Sequence, residues 1–277
     1  MMFADVINRN NRAVDTMLQG ESAAAGKIFR ECFISAKESL MKSRSRQSDD
    51  ADEHTSSTSC DGSANSSPVY PSRKPLAEPL DTGAAGSDFY IFRQPLYIDA
   101  ERLLEDRCCF AEHQNSSNDP EQSVGQLVLA VVIFNMALYF HLCSSSHRGT
   151  NLAKAKKLYL SAAILVREVP QFFISIDLGL LVFNNLIQVS NELGDLEQAQ
   201  DALRSLQELC ALRCNLCEDD SARCILVESN AVALNEIVTN TILLNVSTRV
   251  HVLNSKYGNP SQQKNVILTT SSCAGAA

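Results

Sequence analysis

The sequence predicts an all-α fold built from pairs of antiparallel helices. The chain has 277 residues, which suits one large domain or two small ones, and 45% of them are hydrophobic, enough for a substantial core. Aromatic residues make up only 6% and Trp is absent, whereas β-sandwiches depend on large strand residues. Eleven Gly and eight Pro are too few for an all-β chain with many tight turns. Apolar residues recur instead at steps of three and four, which is the spacing of one helix face.

The first elements are two helices within 1–42, separated by Gly20, since Gly is favoured just past a helix end. The composition then changes over 43–88, which is rich in Ser and Pro and poor in large apolar residues. Such a segment cannot bury enough apolar surface to offset its ordering entropy, so we predict a disordered insertion. Phosphorylation of its serines and simple tolerance of a loop insertion are the two interpretations of it.

The remaining elements follow in order. Within 89–123, the aromatic and β-branched run FYIFRQPLYI with its central Pro95 predicts an extended segment, followed by a helix near 99–112 and a loop. A helical domain over 124–253 comes next, and its last helix is expected to act as a cap. Its helices are predicted over 123–142, 152–169, 177–193, 196–210 and about 219–253, and 254–277 is expected to be a flexible tail.

A repeated spacing links three of these helix pairs. The first copy contains Asn11, Gly20, Ala25, Phe29 and Cys32, and the last repeats the spacing with Asn185, Gly194, Ala199, Leu203 and Leu206. A middle copy keeps Ala155, Tyr159 and Ala162, and its Asn135 lies farther back because the intervening loop is longer. The small Ala lets the two helices of a pair approach, and the larger residue one turn later fills the space between pairs. Because no pair can bury its apolar stripe alone, we expect the pairs to stack.

This pattern resembles the tetratricopeptide repeat (TPR) family, which implies a right-handed superhelical array of helix pairs, a TPR-like α-solenoid. The copy at about 180–212 matches best, whereas Arg9 and Ile133 stand where the family prefers a large aromatic residue. A generic helical array, or a relative built from paired helices, is the alternative. The matching residues of the best copy are Phe183, Leu186, Gly194, Ala199 and Leu203.

The resemblance also implies a function: a non-catalytic scaffold that binds a peptide or partner helix in its concave groove. Asn11, Asn135 and Asn185 recur there in register, and in relatives that hold extended peptides Asn at this place bonds the ligand backbone. We predict these three residues and Phe183 as the peptide-binding site. The competing interpretation is that the asparagines cap or bridge helices within the protein.

The type of ligand follows from the neighbouring positions. Relatives that clamp a carboxylate carry Lys one turn before the asparagine, and here those places hold Ile7, Val131 and Leu181. An apolar or helical ligand therefore fits better than an acidic chain terminus.

The alternative function is a zinc or redox-responsive helical module. Cys210, Cys214, Cys217 and Cys224 provide enough thiolates for a tetrahedral zinc site. However, the usual paired C-x2-C motifs are absent and leucines continue a helical pattern through this stretch, so we expect buried thiols and neither metal nor cofactor. The ten cysteines are expected to be reduced.

Catalysis, nucleic-acid binding and membrane insertion are all disfavoured. No G-x-S-x-G, H-E-x-x-H or Gly-rich phosphate loop occurs, and the conceivable pairing of Cys108 or Cys109 with His113 has no third group to orient it. The net charge of -8 supplies no basic face for phosphates. The apolar run over 127–142 is shorter than the roughly 20 residues of a membrane span. We expect a cytoplasmic protein, with KSRSR at 42–46 as a weak nuclear signal.

Overall fold

A computed structural model of the protein describes residues 3–47, 69–72, 92–101, 103, 120–143, 148–169 and 173–217. Most of these residues are helical, which confirms the all-α prediction. The helices are α1 (Ala4–Leu18), α2 (Ser22–Gln47), α3 (Pro120–Leu142), α4 (Arg148–Glu168), α5 (Phe173–Glu192) and α6 (Leu196–Cys217). Two short strands, β1 (Val69–Pro71) and β2 (Leu96–Ile98), lie between α2 and α3 in the chain.

Each helix packs against the next one along the chain. Because the connections within the pairs are short, consecutive helices run in opposite directions. Ion pairs show the same arrangement: Arg148 at the start of α4 contacts Glu192 at the end of α5, with 2.8 Å between Nη2 and Oε2. Glycines terminate α1 and α5 as predicted, because Gly20 and Gly194 adopt φ values of +83° and +72°, a region that other residues disfavour.

The repeat positions form the core between the helices. The small residue of each second helix is buried, and so is the larger residue one turn later. In α2 these are Ala25 and Phe29, both 0% exposed, and in α4 they are Ala155 and Tyr159, also 0% exposed. The residues at the repeated positions are therefore buried between the helices, as their spacing predicted.

The first helix pair packs against the rest of the protein through α2 and α3. A Cβ atom added to Gly26 of α2 would lie 2.7 Å from the ring of Tyr139 in α3. A Cβ added to Gly125 of α3 would lie 2.5 Å from Phe3 and 3.0 Å from Leu40. The glycines thus mark the closest approaches, and one continuous apolar core spans both parts of the chain.

Several predicted boundaries are corrected. Helix α2 continues through Gln47, into the range predicted as a disordered insertion, and Ser43 is buried there with its hydroxyl donating to the Leu40 carbonyl at 2.8 Å. Val69–Pro71 of the same range forms β1, because its backbone pairs with β2. Helix α6 runs to Cys217, beyond the predicted end at 210. Most of 43–88, the predicted helices near 99–112 and over 219–253, and the tail lie largely or wholly outside the described residues.

Helix α3 is the apolar centre of the described structure. Among the described residues, Glu121–Leu142 is the one stretch long and apolar enough to cross a membrane by length and composition, a test that core helices of soluble proteins also pass. Within its most apolar window, 89% of the residues are buried inside the protein. This burial agrees with the predicted core helix.

Candidate functional site

The three asparagines of the repeat frame contact one extended segment of the same chain. Asn11 lies on α1, Asn135 on α3 and Asn185 on α5, so each comes from the first helix of its pair. The segment, residues 92–98, includes β2 and lies across all three side chains. We call it the groove segment.

Each asparagine binds both backbone groups of a single residue. The Asn185 amide accepts from Phe92 N at 3.0 Å and donates to Phe92 O at 2.9 Å. Asn135 pairs in the same way with Leu96, at 2.7 Å in both directions. Asn11 accepts from Ile98 N at 3.0 Å and donates to Ile98 O at 2.8 Å. A carboxamide suits this task because it carries an acceptor and donors side by side, complementary to a peptide N–H and C=O.

Two further asparagines, which the repeat spacing did not single out, add hydrogen bonds to this set of paired contacts. Asn10 donates to the Leu96 carbonyl at 3.1 Å and accepts from Asn135 Nδ2 at 3.0 Å. Asn184 donates to Asn185 Oδ1 at 3.2 Å. The signal that could have found them is the Asn-Asn doublet, which occurs at the same place in the first and last copies of the repeat.

The residues whose backbone groups bond the asparagines also have buried side chains. Phe92, Leu96 and Ile98 are each 1% exposed, and the Phe92 ring lies 6.2 Å from that of Phe134. Tyr97 points elsewhere and is partly exposed. Within β2, from Leu96 to Ile98, the alternation of buried and partly exposed side chains is that of a strand with one face in a core.

The opposite edge of the segment is also paired. Strand β1 lies antiparallel to β2, with Tyr70 opposite Tyr97, and the backbone N–H of Ser72 donates to the Pro95 carbonyl at 2.8 Å. The Tyr97 hydroxyl donates to Asp15 of α1 at 2.6 Å. Burial and this hydrogen bond raise the Tyr97 pKa, so the hydroxyl stays protonated as the donor. The segment is therefore held between an asparagine edge and a strand edge.

A series of polar contacts between side chains extends from Asn185 to Glu192, at the C-terminal end of α5. Asn185 Nδ2 donates to the Tyr159 hydroxyl at 3.2 Å, and that hydroxyl lies 3.4 Å from His141 Nδ1. His141 Nε2 in turn lies 3.8 Å from Glu192, which Arg148 also contacts. Burial would raise the pKa of Glu192, but the nearby His141 imidazole and the hydrogen bond from Arg148 outweigh it and lower that pKa to about 2.

Phe183, the fourth predicted site residue, lies away from the asparagines. It is buried, and the Arg167 guanidinium of α4 lies over its ring, 5.2 Å from the centroid. Two positions along a helix correspond to about 200° of rotation, so Phe183 and Asn185 cannot share a face of α5. Phe183 instead lines a separate open depression of about 450 Å³ between α4 and α6.

The apolar positions one turn before the asparagines are also part of the core. Ile7 is 1% exposed, Val131 0% and Leu181 8%. They therefore contribute to the packing of the helices, and the direct polar contacts of the groove come from the asparagines.

The cysteine cluster lies mostly beyond the described residues. Cys210 is half-buried on α6, Cys214 and Cys217 are described only as backbone of that helix, and Cys224 lies outside the described ranges, as do Cys108, Cys109 and His113. Within those ranges, no three His, Cys, Asp or Glu side chains gather in a metal-binding arrangement. The zinc or redox module therefore stays a hypothesis from the sequence.

Comparisons with known proteins supply no relative from which a function could be transferred. No protein-family model, curated protein or solved structure matches the chain. A function for this protein therefore has to be inferred from the contacts that Asn11, Asn135 and Asn185 make with the groove segment.

Proposed function

We propose that the protein is a non-catalytic protein–protein interaction scaffold, a TPR-like superhelix whose concave groove binds an extended polypeptide. The observation that supports this function is the set of paired hydrogen bonds from Asn11, Asn135 and Asn185 to the backbone of 92–98. The groove segment then occupies the place of a ligand, and a partner binds by replacing it.

The backbone contacts of the asparagines support a binding groove rather than helix capping, while Asn135 and Asn185 also bridge helices through Asn10 and Tyr159. The main partner of each of the three is the backbone of an extended segment rather than a helix end. Backbone pairing is independent of side-chain identity, so a segment from another protein can make the same bonds. This is the logic of strand addition, in which main-chain hydrogen bonds supply affinity and alternate side chains supply specificity.

A segment tethered in the same chain is a strong competitor. Short flexible tethers give effective concentrations on the order of millimolar, and a ligand's apparent affinity falls in proportion to the fraction of open grooves. A free peptide should therefore bind the unaltered protein weakly, and more tightly when the groove segment is weakened. An increase in peptide affinity in those variants would show that the groove segment can be replaced, whereas a permanent strand of the core could not be.

The test uses a fluorescent peptide spanning residues 89–101 and the full-length chain. Leu96→Ala weakens the tethered segment, and Ile98→Val is a milder second variant in case the first lowers the helical content. We expect fluorescence anisotropy to show at least tenfold tighter peptide binding to these variants than to the unaltered protein. Adding Asn11→Ala, at a partly buried site, should reverse the gain, whereas Asn151→Ala on α4 serves as the matched control.

The proposal is wrong if the peptide binds neither variant up to millimolar concentration while both keep their helical circular dichroism. It is also wrong if Asn11→Ala and Asn151→Ala affect binding equally. In either case the groove segment is a structural strand, and the asparagines stabilise the fold alone.

A further inference from the structure

The three residues held by the asparagines differ from the rest of the groove segment in their backbone contacts, and together with Pro95 they are its buried positions. The backbone N–H and C=O of Phe92, Leu96 and Ile98 each bond one asparagine of the repeat frame, and Asn10 is a second donor to Leu96 O. The three side chains are each 1% exposed. The intervening Arg93, Gln94 and Tyr97 are all partly exposed. The contacts therefore restrict which residues can occupy the first, fifth and seventh positions of the segment.

The paired hydrogen bonds place a condition on proline. Proline has no N–H, so at any of these three positions it would remove the hydrogen bond to an asparagine Oδ1. The loss is greatest at Leu96, whose N–H is the donor to the buried Asn135 Oδ1. The Oδ1 atoms of Asn185 and Asn11 also accept from Asn184 and Asn10. Pro95 occupies the fourth position, where only its carbonyl is used, by Ser72 N at 2.8 Å. Proline there also restrains the preceding residue to an extended conformation, which suits the groove.

The sixth position has a preference of its own. Tyr97 donates its hydroxyl proton to Asp15, whose carboxylate lies on α1 beside the segment. A side chain that donates a hydrogen bond can make this contact, whereas an acidic side chain would face a like charge. The condition is weaker than the other three because the contact is exposed.

From these contacts we infer that the groove selects extended segments of the form Φ-x-x-x-Φ-x-Φ, where Φ is a large apolar residue other than proline. A proline is accepted at the fourth position and a hydrogen-bond donor is favoured at the sixth. This inference rests on the proposed function, because it specifies the ligand of the same groove.

The experiment is a series of peptides based on residues 89–101, titrated against the full-length Leu96→Ala or Ile98→Val protein. Backbone N-methylation at Phe92, Leu96 or Ile98 removes one N–H and leaves the side chain intact. We expect at least a tenfold loss of affinity for N-methylation at Leu96, because it leaves the buried Asn135 Oδ1 without the donor that Leu96 supplies. N-methylation at Phe92 or Ile98 should weaken binding by more than threefold but less than at Leu96, since Asn185 and Asn11 Oδ1 keep a second donor. The matched control is N-methylation at Gln94, expected to change binding less than threefold.

A second series tests the side chains. Leu96→Asp and Ile98→Asp in the peptide should each abolish measurable binding, whereas Gln94→Asp should weaken it less, because Gln94 is partly exposed although its Oε1 is buried. Tyr97→Glu should weaken binding more than Tyr97→Lys does.

The outcomes distinguish the pattern from the function. If the parent peptide binds but N-methylation or Asp at the control position weakens it as much as at the Φ positions, the pattern is wrong and the groove remains a peptide site. If the parent peptide fails to bind either variant, the proposed function is wrong and the pattern with it.

Discussion

Asn185 depends on Tyr159 for its orientation. The Tyr159 hydroxyl accepts a hydrogen bond from the same Nδ2 that donates to Phe92 O, and the Tyr159 ring packs 5.9 Å from that of Phe134. Tyr159→Phe keeps this ring contact and removes only the hydroxyl. We expect the free energy of unfolding, measured by urea denaturation, to fall by about 1 to 2 kcal/mol. The control is Tyr70→Phe at an exposed ring, and an equal loss there would contradict the orienting role.

Glu192 should make the protein acid-sensitive. Burial alone would raise its pKa, but the nearby His141 imidazole and the hydrogen bond from Arg148 outweigh burial and lower the pKa from 4.5 to about 2 in the folded state. A lowered folded-state pKa stabilises the protein above pH 4.5, and this contribution is lost as the pH falls from 4.5 towards 2. Glu192→Gln should therefore destabilise the protein by about 1.5 to 3 kcal/mol at pH 7.

The measurement is urea unfolding from pH 7 down to the lowest pH at which the protein stays folded. Over the range below 4.5 the stability of Glu192→Gln should fall less steeply than that of the unaltered protein. The exposed Glu31 on α2 provides the control substitution Glu31→Gln. Parallel pH profiles for Glu192→Gln and the unaltered protein would show that the carboxylate makes no such contribution.

At the scale of the elements, the turn between α5 and α6 depends on the backbone of Gly194. Its φ is +72°, and a Cβ added there would meet nothing within 4 Å, so substitution by Ala tests conformation alone. We expect Gly194→Ala to lower stability by about 1 to 2 kcal/mol. Gly149, in the first turn of α4, is equally open but has no positive φ, so Gly149→Ala should raise stability by up to about 1 kcal/mol. Thermal melts that shift in the same direction for both variants would contradict this assignment.

The helices could be predicted from local spacing, whereas the path of the groove segment could not. Steps of three and four residues carry the information for a buried helix face, so all six described helices were expected near their observed ranges. The contact between Leu96 and Asn135 joins residues that are far apart in the chain, and the local sequence around either residue does not predict it. Strand β1 was missed because three residues are too few to show alternation. Phe183 lies apart from the asparagines because two residues of the same repeat copy can lie on different faces of one helix.

At the scale of the whole molecule, the groove segment connects parts that are distant in the chain. Asn11 belongs to the first helix pair, Asn135 to the second and Asn185 to the third, and the segment contacts all of them. The pairs also pack directly against one another through α2 with α3 and α4 with α5. The proposed exchange with a partner requires the segment to separate from the helices without global unfolding, although Phe92, Leu96 and Ile98 belong to the same apolar core as the helices.

Native-state hydrogen exchange can measure that separation. If the segment opens locally, the amide protons of Phe92, Leu96 and Ile98 should exchange with a lower free energy of opening than the central amides of α3 and with little dependence on denaturant, because local opening exposes less surface than global unfolding. Asn11→Ala should accelerate exchange at Ile98, its own partner, more than at Phe92, which Asn185 holds. Asn151→Ala should leave both rates unchanged. Exchange of the three amides only through global unfolding, with the same free energy as α3, would make the segment an inseparable strand of the core and would remove the basis for a partner-binding groove.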